Sequence, residues 1–186
     1  MAEWQNTWKI KQRNGFFRSY MGGQGLDIGY AGYDDSPVIL PTALGIDLDY
    51  PGYDGKILPF EDGQFDYIYS SHCLEHVDNE IDTITEWFRV IKTHGHLVLV
   101  VPHKFLYEKK QSLPSNWNEG HKRFFTPATL LAAVEAALQP NHYRVRLLED
   151  GDYGFDYSIP ANKHSGGQYE ITLVLQKITP PAWTID

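Results

Sequence analysis

Short apolar runs, broken at irregular intervals by Gly and Pro, set the rhythm of this chain. Four of them, Gly25–Ile28, Ala43–Leu48, Phe65–Ser70 and His96–Val101, have strand length. The last two are apolar enough to be covered on both faces, as parallel strands in the middle of a sheet are. Between them, Ile81, Ile84, Phe88 and Ile91 recur at helical spacing within Asp78–Lys92, and Asp78 or Asn79 can cap the first turn. A helix is predicted there. A second is predicted over Thr126–Leu138, with Thr126 as cap, Pro127 in the first turn, Leu130, Leu131, Val134 and Leu138 facing inward, and Pro140 beyond the end. The period then changes to two. Tyr143, Val145 and Leu147 alternate with Arg144 and Arg146, and Ile171, Leu173 and Leu175 alternate with Glu170, Thr172 and Gln176, which predicts two antiparallel neighbours. The Tyr- and Gly-rich connection Asp150–Gln168 joins them, and connections of that length are usually functional or disordered. Near the start, Trp4, Trp8, Ile10, Phe16, Phe17 and Tyr20 are apolar at loosely helical spacing and predict a packing helix or a lid. Strand–helix alternation followed by a hairpin is an α/β pattern.

Composition narrows the picture. At 186 residues and 42% hydrophobic, the chain suits one domain with one core. No apolar run approaches the roughly 20 residues of a membrane span. The N-terminal stretch lacks the basic-then-apolar order of a signal peptide, so a cytoplasmic protein is expected. The single cysteine, Cys73, excludes an internal disulfide and a thiolate zinc cluster, and reads as a small buried residue. A net charge of -8 argues against long duplex nucleic acid as a substrate, because such binding needs basic residues against phosphate. A small or modest-sized acceptor fits better. Oligomeric state is not legible.

In Leu26-Asp27-Ile28-Gly29-Tyr30-Ala31-Gly32 a strand ends in an acid and a glycine-bearing turn, which lets backbone approach a ligand at the strand's carboxyl end. A dinucleotide fingerprint would place a third glycine at Asp35, so NAD is disfavoured. Asp47, ending the next strand, can accept from ribose hydroxyls for either cofactor. The stretches Leu58-Pro59-Phe60-Glu61-Asp62-Gly63-Gln64-Phe65-Asp66-Tyr67, Ser70-Ser71-His72-Cys73-Leu74-Glu75-His76-Val77 and Glu86-Trp87-Phe88-Arg89-Val90-Ile91-Lys92 discriminate. In that order they resemble the core of the type 11 group of class I methyltransferases that use S-adenosylmethionine (SAM). With Gly120-His121-Lys122-Arg123-Phe124-Phe125-Thr126-Pro127, the resemblance spans roughly residues 24–138.

The resemblance implies a Rossmann-like class I methyltransferase fold: a mostly parallel sheet with an antiparallel C-terminal strand. Only ten residues separate Asp47 from Leu58, in turn chemistry, and Pro37 and Pro41 limit the earlier crossover. Helices after strands 1 and 2 are therefore expected to be short or missing. One domain is expected, laid out as an N-terminal helix or lid (1–23), a SAM-binding core (24–102), an acceptor loop (103–125), and a C-terminal helix and hairpin (126–178). By the same resemblance Asp27, Gly29, Tyr30 and Gly32 form the cofactor turn, with Asp27 and Gly29 at the amino-acid end of SAM. Asp47 takes the ribose, Leu48 packs on adenine, and Ser70, Ser71 and His72 face the methionine portion. Ala31 and Tyr33 depart from the family's glycine pattern, and Tyr50–Gly55 closes the adenine side, with Asp54 beside it.

A hydroxyl acceptor usually needs a base, and His103, at a strand end, and His121, entering the later helix, are the catalytic candidates. His72-Cys73-Leu74-Glu75-His76 also satisfies the H-x-x-E-H pattern of a zinc hydrolase. That pattern requires both histidines on one continuous helix, whereas here a strand ends near Ser70 and a fresh helix starts near Asp78. Glu75 and His76 are accordingly expected to anchor the loop, and no metal is expected. Between His103 and Arg123, Lys104, Lys109, Lys110, Lys122 and Arg123 outnumber Glu108 and Glu119, a local reversal of sign that can steer an anionic ligand. Trp117, Phe124, Tyr153, Phe155 and Tyr157 offer faces for stacking on rings. O-methylation of a sugar or nucleotide sugar is the favoured reading, by a loose likeness to small surface-glycan methyltransferases. N-methylation of a small metabolite and a non-catalytic SAM-fold binding protein are the alternatives.

Overall fold

The structure, a computed structural model, describes residues 3–30 and 37–183, with side chains from residue 7 onward in the first helix. Ala31, Gly32, Tyr33, Asp35 and the side chain of Trp4 therefore lie outside the described residues. Six strands, β1 (Gly25–Ile28), β2 (Ala43–Ile46), β3 (Phe65–Ser71), β4 (Ile91–Pro102), β5 (Tyr143–Gly151) and β6 (Glu170–Lys177), form one sheet in the order β2-β1-β3-β4-β6-β5. β1 pairs in parallel with β2 and β3, and β3 with β4, while β6 runs antiparallel to both β4 and β5. This is the mixed α/β sheet that the sequence predicts.

Helices α3 (Glu80–Arg89) and α4 (Pro127–Ala137) cover one face. Ile84, Trp87, Phe88, Leu130 and Val134 pack there against Leu26, Ile28, Ile68, Leu97 and Leu99. α1 (Glu3–Arg13) and α2 (Phe16–Tyr20) lie on the other side, where Phe16, Phe17 and Met21 meet Tyr67, Tyr69, Val98 and Val100. Full burial of such side chains is worth about 1.5–3 kcal/mol each, so the N-terminal segment is a packing layer of the core.

Asn79 caps α3, its Oδ1 accepting from the amides of Ile81 and Asp82, and Thr126 and Thr129 make a reciprocal capping box on α4. Ile91 departs from its helical expectation. Arg89 donates to the carbonyls of Phe60 and Leu58, the helix ends beside it, and Ile91 begins β4 opposite Phe65. Val145, on the edge strand β5, is 42% exposed, and a register shift between Val145 and Leu147 puts Leu147 on the opposite side of the sheet from Tyr143. The polar alternation of β6 also misleads. The strand inserts between β4 and β5, so Glu170 and Thr172 are buried.

Candidate cofactor cleft and histidine cluster

No helix follows β2: residues 47–64 run as turns, with Gly52 and Gly55 at φ 82 and 81, a region that glycine enters without strain. The trimmed crossover leaves the carboxyl ends of β1, β2 and β3 open onto a cavity of about 970 Å³. Gly29, Asp47, Leu48, Tyr53, Asp54 and Ile57 line one part of it, and His72, Cys73, His76, Asn79, Asp82 and Lys122 another. Its size lies at the upper end of the roughly 300–1,000 Å³ usual for small-molecule sites.

Gly29 has φ 85, donates its amide to the Ile46 carbonyl at 2.9 Å, and lies so close to Cys73 that a Cβ would come within 2.8 Å of that side chain. A larger residue there would be strained and would clash. Asp47 Oδ1 accepts from the Leu48 amide at 2.7 Å, which fixes the carboxylate at the rim. Leu48 and Ile57, 70% and 61% exposed, present apolar surface to the cavity. Asp54 Oδ1 accepts from the amides of Lys56 and Ile57, and these bonds hold its carboxyl below the usual range. The turn that replaces the missing helix is thus internally braced.

Four predicted cofactor residues stand behind the wall rather than on it. Tyr30 packs its ring over Gly45, where a Cβ would come within 2.2 Å of it, and Ser70 and Ser71 end β3, Ser70 fully buried. Asp27 accepts from the Ile39 amide at 2.7 Å, bracing the chain that leads into β2. Burial pushes its carboxyl up to about 6, with the Ile39 amide opposing. Because ionisation is easier in the unfolded chain, the stability Asp27 contributes is full below about pH 4 and is lost as pH rises through about 6. Asp27→Asn, which keeps an acceptor for Ile39, is expected to remove that loss. In cofactor-free protein at neutral pH it should gain up to about 3 kcal/mol, read from urea midpoints on both sides of the window. An unchanged pH dependence would contradict this.

The histidines sort differently from expectation. His103 Nδ1 accepts from the amides of Phe105 and Leu106, capping a single π-helical turn at Lys104–Glu108, while Nε2 faces Asp150 at 3.4 Å. Burial, partly offset by Asp150, pushes its pKa down. It does not line the cavity. His121 is buried too, its Nδ1 2.5 Å from Glu108 Oε1, while Glu108 Oε2 accepts from Ser115 Oγ at 2.6 Å. The histidines that reach the cavity are His72 and His76. His72, at φ 52, holds its Nε2 2.8 Å from Glu170 Oε1, and Thr7 donates to the other oxygen, tying α1 to this end of the sheet. Burial would raise the Glu170 carboxyl, but His72, Lys11 and Thr7 more than offset it and hold the group low.

Sequence reasoning missed Glu75 as the centre of this region. It is 0% exposed, and its Oε1 lies 3.7 Å from His72 Nδ1 and 3.8 Å from both His76 Nε2 and His121 Nε2. The H-x-x-E-H spacing was the available signal, but residues 72–79 are turns, so the zinc-hydrolase helix does not form. Burial pushes the Cys73 thiol up to about 12, so it is a neutral wall group. The cations of the 103–123 segment are largely engaged: Lys109 with the Lys163 carbonyl, Lys110 with Pro114, Lys122 with Asp78, and Arg123 with Glu80 and Leu74. Trp117 meets His164 edge to face instead of lining the cavity.

A methyltransferase-domain family model matches residues 14–99, the span that holds β1, β2, β3 and α3. The matched stretch is the methyltransferase domain of a SAM-dependent enzyme. No curated protein matches the methyltransferase's sequence. Among solved structures, a putative methyltransferase from Bacillus halodurans is 15% identical at a TM-score of 0.63, over 92% of this chain and 99% of that one. The 1,6-didemethyltoxoflavin-N1-methyltransferase of Burkholderia thailandensis, solved with bound 1,6-didemethyltoxoflavin and S-adenosylhomocysteine, is 15% identical at 0.60, over 95% and 81%. The [4+2]-cyclase SpnF is 16% identical at 0.62, over 95% and 83%, so the fold alone does not fix the reaction. SAM is the cofactor of the methyltransferase. Among the described residues no helix is long and apolar enough to cross a membrane.

Proposed function

We propose that the chain transfers the SAM methyl group to an oxygen of a small polar acceptor, a sugar or nucleotide sugar, with Gly29, Asp47, Leu48 and His72 holding the cofactor. The observation that carries this reading is the order of groups along the cavity. The close-approach turn at Gly29, the rim carboxylate of Asp47, and the exposed apolar surfaces of Leu48 and Ile57 complement the methionine, ribose and adenine of SAM in sequence. Asp27, Tyr30, Ser70 and Ser71 shape that wall from behind.

Methyl transfer is an in-line displacement: the acceptor atom bonds to the methyl carbon, the carbon–sulfur bond breaks, and S-adenosylhomocysteine leaves. The protein supplies mainly proximity and orientation. A hydroxyl acceptor also gives up a proton, and we assign its removal to His72, which lines the cavity beside Glu75 and has its Nε2 2.8 Å from Glu170 Oε1. His103, engaged as a cap, is left out of the chemistry. The lining mixes Lys56 and Lys122 with Asp54, Asp78, Asp82 and Glu86, a set of donors and acceptors that suits a hydroxyl-rich acceptor. Those same acids favour a second reading, N-methylation of a small amine.

A screen with methyl-labelled SAM against sugars, nucleotide sugars and small amines tests the proposal. Label on a sugar oxygen is the expected result. Label on amines alone would overturn it in favour of the second reading.

A further inference from the structure

Glu75 poses a problem of charge. A carboxylate withdrawn completely from water needs donors or a cation, yet neither of its oxygens has a hydrogen-bond partner. Three imidazoles surround it without bonding to it. Two of these have their other nitrogen held by a different buried carboxylate. His121 Nδ1 is on Glu108, and His72 Nε2 is on Glu170, which is held ionised and therefore accepts. With its N–H on Nδ1 toward Glu108, His121 turns its Nε2 lone pair toward Glu75. Lone pairs aimed at a buried anion repel it unless something positive stands between.

We infer that Glu75, His76 and His121 bind one divalent transition-metal ion of the zinc class. One carboxylate oxygen and two imidazole nitrogens, all within 4.8 Å of one another, converge there. Zinc sites with three protein ligands and one open position use this donor set, with bonds of about 2.0–2.2 Å. The two 3.8 Å separations from Glu75 to the histidines need only a small contraction to reach the spacing of tetrahedral ligands. The His121–Glu108–Ser115 chain is the outer support such ligands carry, fixing tautomer and ring orientation. Two backbone features hold the halves of the site together. The Lys122 amide donates to the Glu75 carbonyl at 2.8 Å, and Gly120 lets its turn approach His76, where a Cβ would stand 3.0 Å from Nδ1. The set does not depend on the H-x-x-E-H helix: His121, from a distant stretch of sequence, takes the place the first histidine has in that motif. Bound there, the ion would stand behind the cavity wall that His76 forms and would serve as a Lewis acid toward an oxygen ligand.

The test is a zinc titration of the chelator-stripped full-length protein against a competing chromophoric chelator. It contains no methyl-transfer step, so its failure and that of the acceptor reading are separable. One zinc per chain is expected, with affinity falling at least 100-fold in Glu75→Gln and in His121→Asn. His76→Asn, at the partly exposed edge, guards against variants that do not fold: with a circular dichroism spectrum like the parent's, it should lose at least tenfold. No stoichiometric zinc at micromolar concentration, or parental affinity in folded His76→Asn, would overturn the inference.

Discussion

Trp87→Ala is expected to lower folding stability by about 3–5 kcal/mol, the range for deleting a fully buried large aromatic side chain. Trp87 is 1% exposed on the inner face of α3, in the cluster that joins both sheet-covering helices to β1, β3 and β4. Tyr53, whose hydroxyl burial pushes up to about 12, packs against the same cluster and forms part of the cavity wall. The variant should therefore show a lower urea midpoint and also weaker SAM binding, because the turn that replaces the missing helix loses an internal support. A loss under about 1 kcal/mol would mean that α3 is not packed as described.

Much of this architecture is legible in the sequence because its signals are local. The cap at Asn79, the Thr126-Pro127 start, and the turn residues of Tyr50–Gly55 each act within a few positions, and each stands where expected. What escaped depends on contacts between distant segments. The alternation along β6 sets Glu170 and Thr172 apart from the apolar positions, but insertion of the strand between β4 and β5 buries them, a consequence of strand order that no periodicity carries. The same holds at the site. Asp47, Leu48 and Gly29 reach the cavity as the motif implies, whereas His103 and His121, chosen for their positions near element ends, turn to a backbone cap and to Glu108. The role of Glu75 becomes visible only when the 118–122 turn folds back on the 72–76 loop.

Asp47→Ala is expected to weaken SAM binding by about ten- to a hundredfold, the loss that follows removal of a charged acceptor from one or two hydroxyl hydrogen bonds worth about 1.5–3 kcal/mol. One oxygen already serves the Leu48 amide, so the substitution also frees the Leu48 backbone and the apolar surface it presents. Asp47→Asn should recover part of the loss, since it keeps an acceptor for that amide. Unchanged affinity in Asp47→Ala would mean that the ribose lies elsewhere along the cavity. Stability should change little, because Asp47 sits at the rim and not in the core.

The most direct measurement of the account is calorimetric titration of the purified protein with SAM and with S-adenosylhomocysteine. One cofactor per chain is predicted, bound in the cavity at the ends of β1, β2 and β3 and weakened by Asp47→Ala. Absence of binding at millimolar cofactor would contradict it.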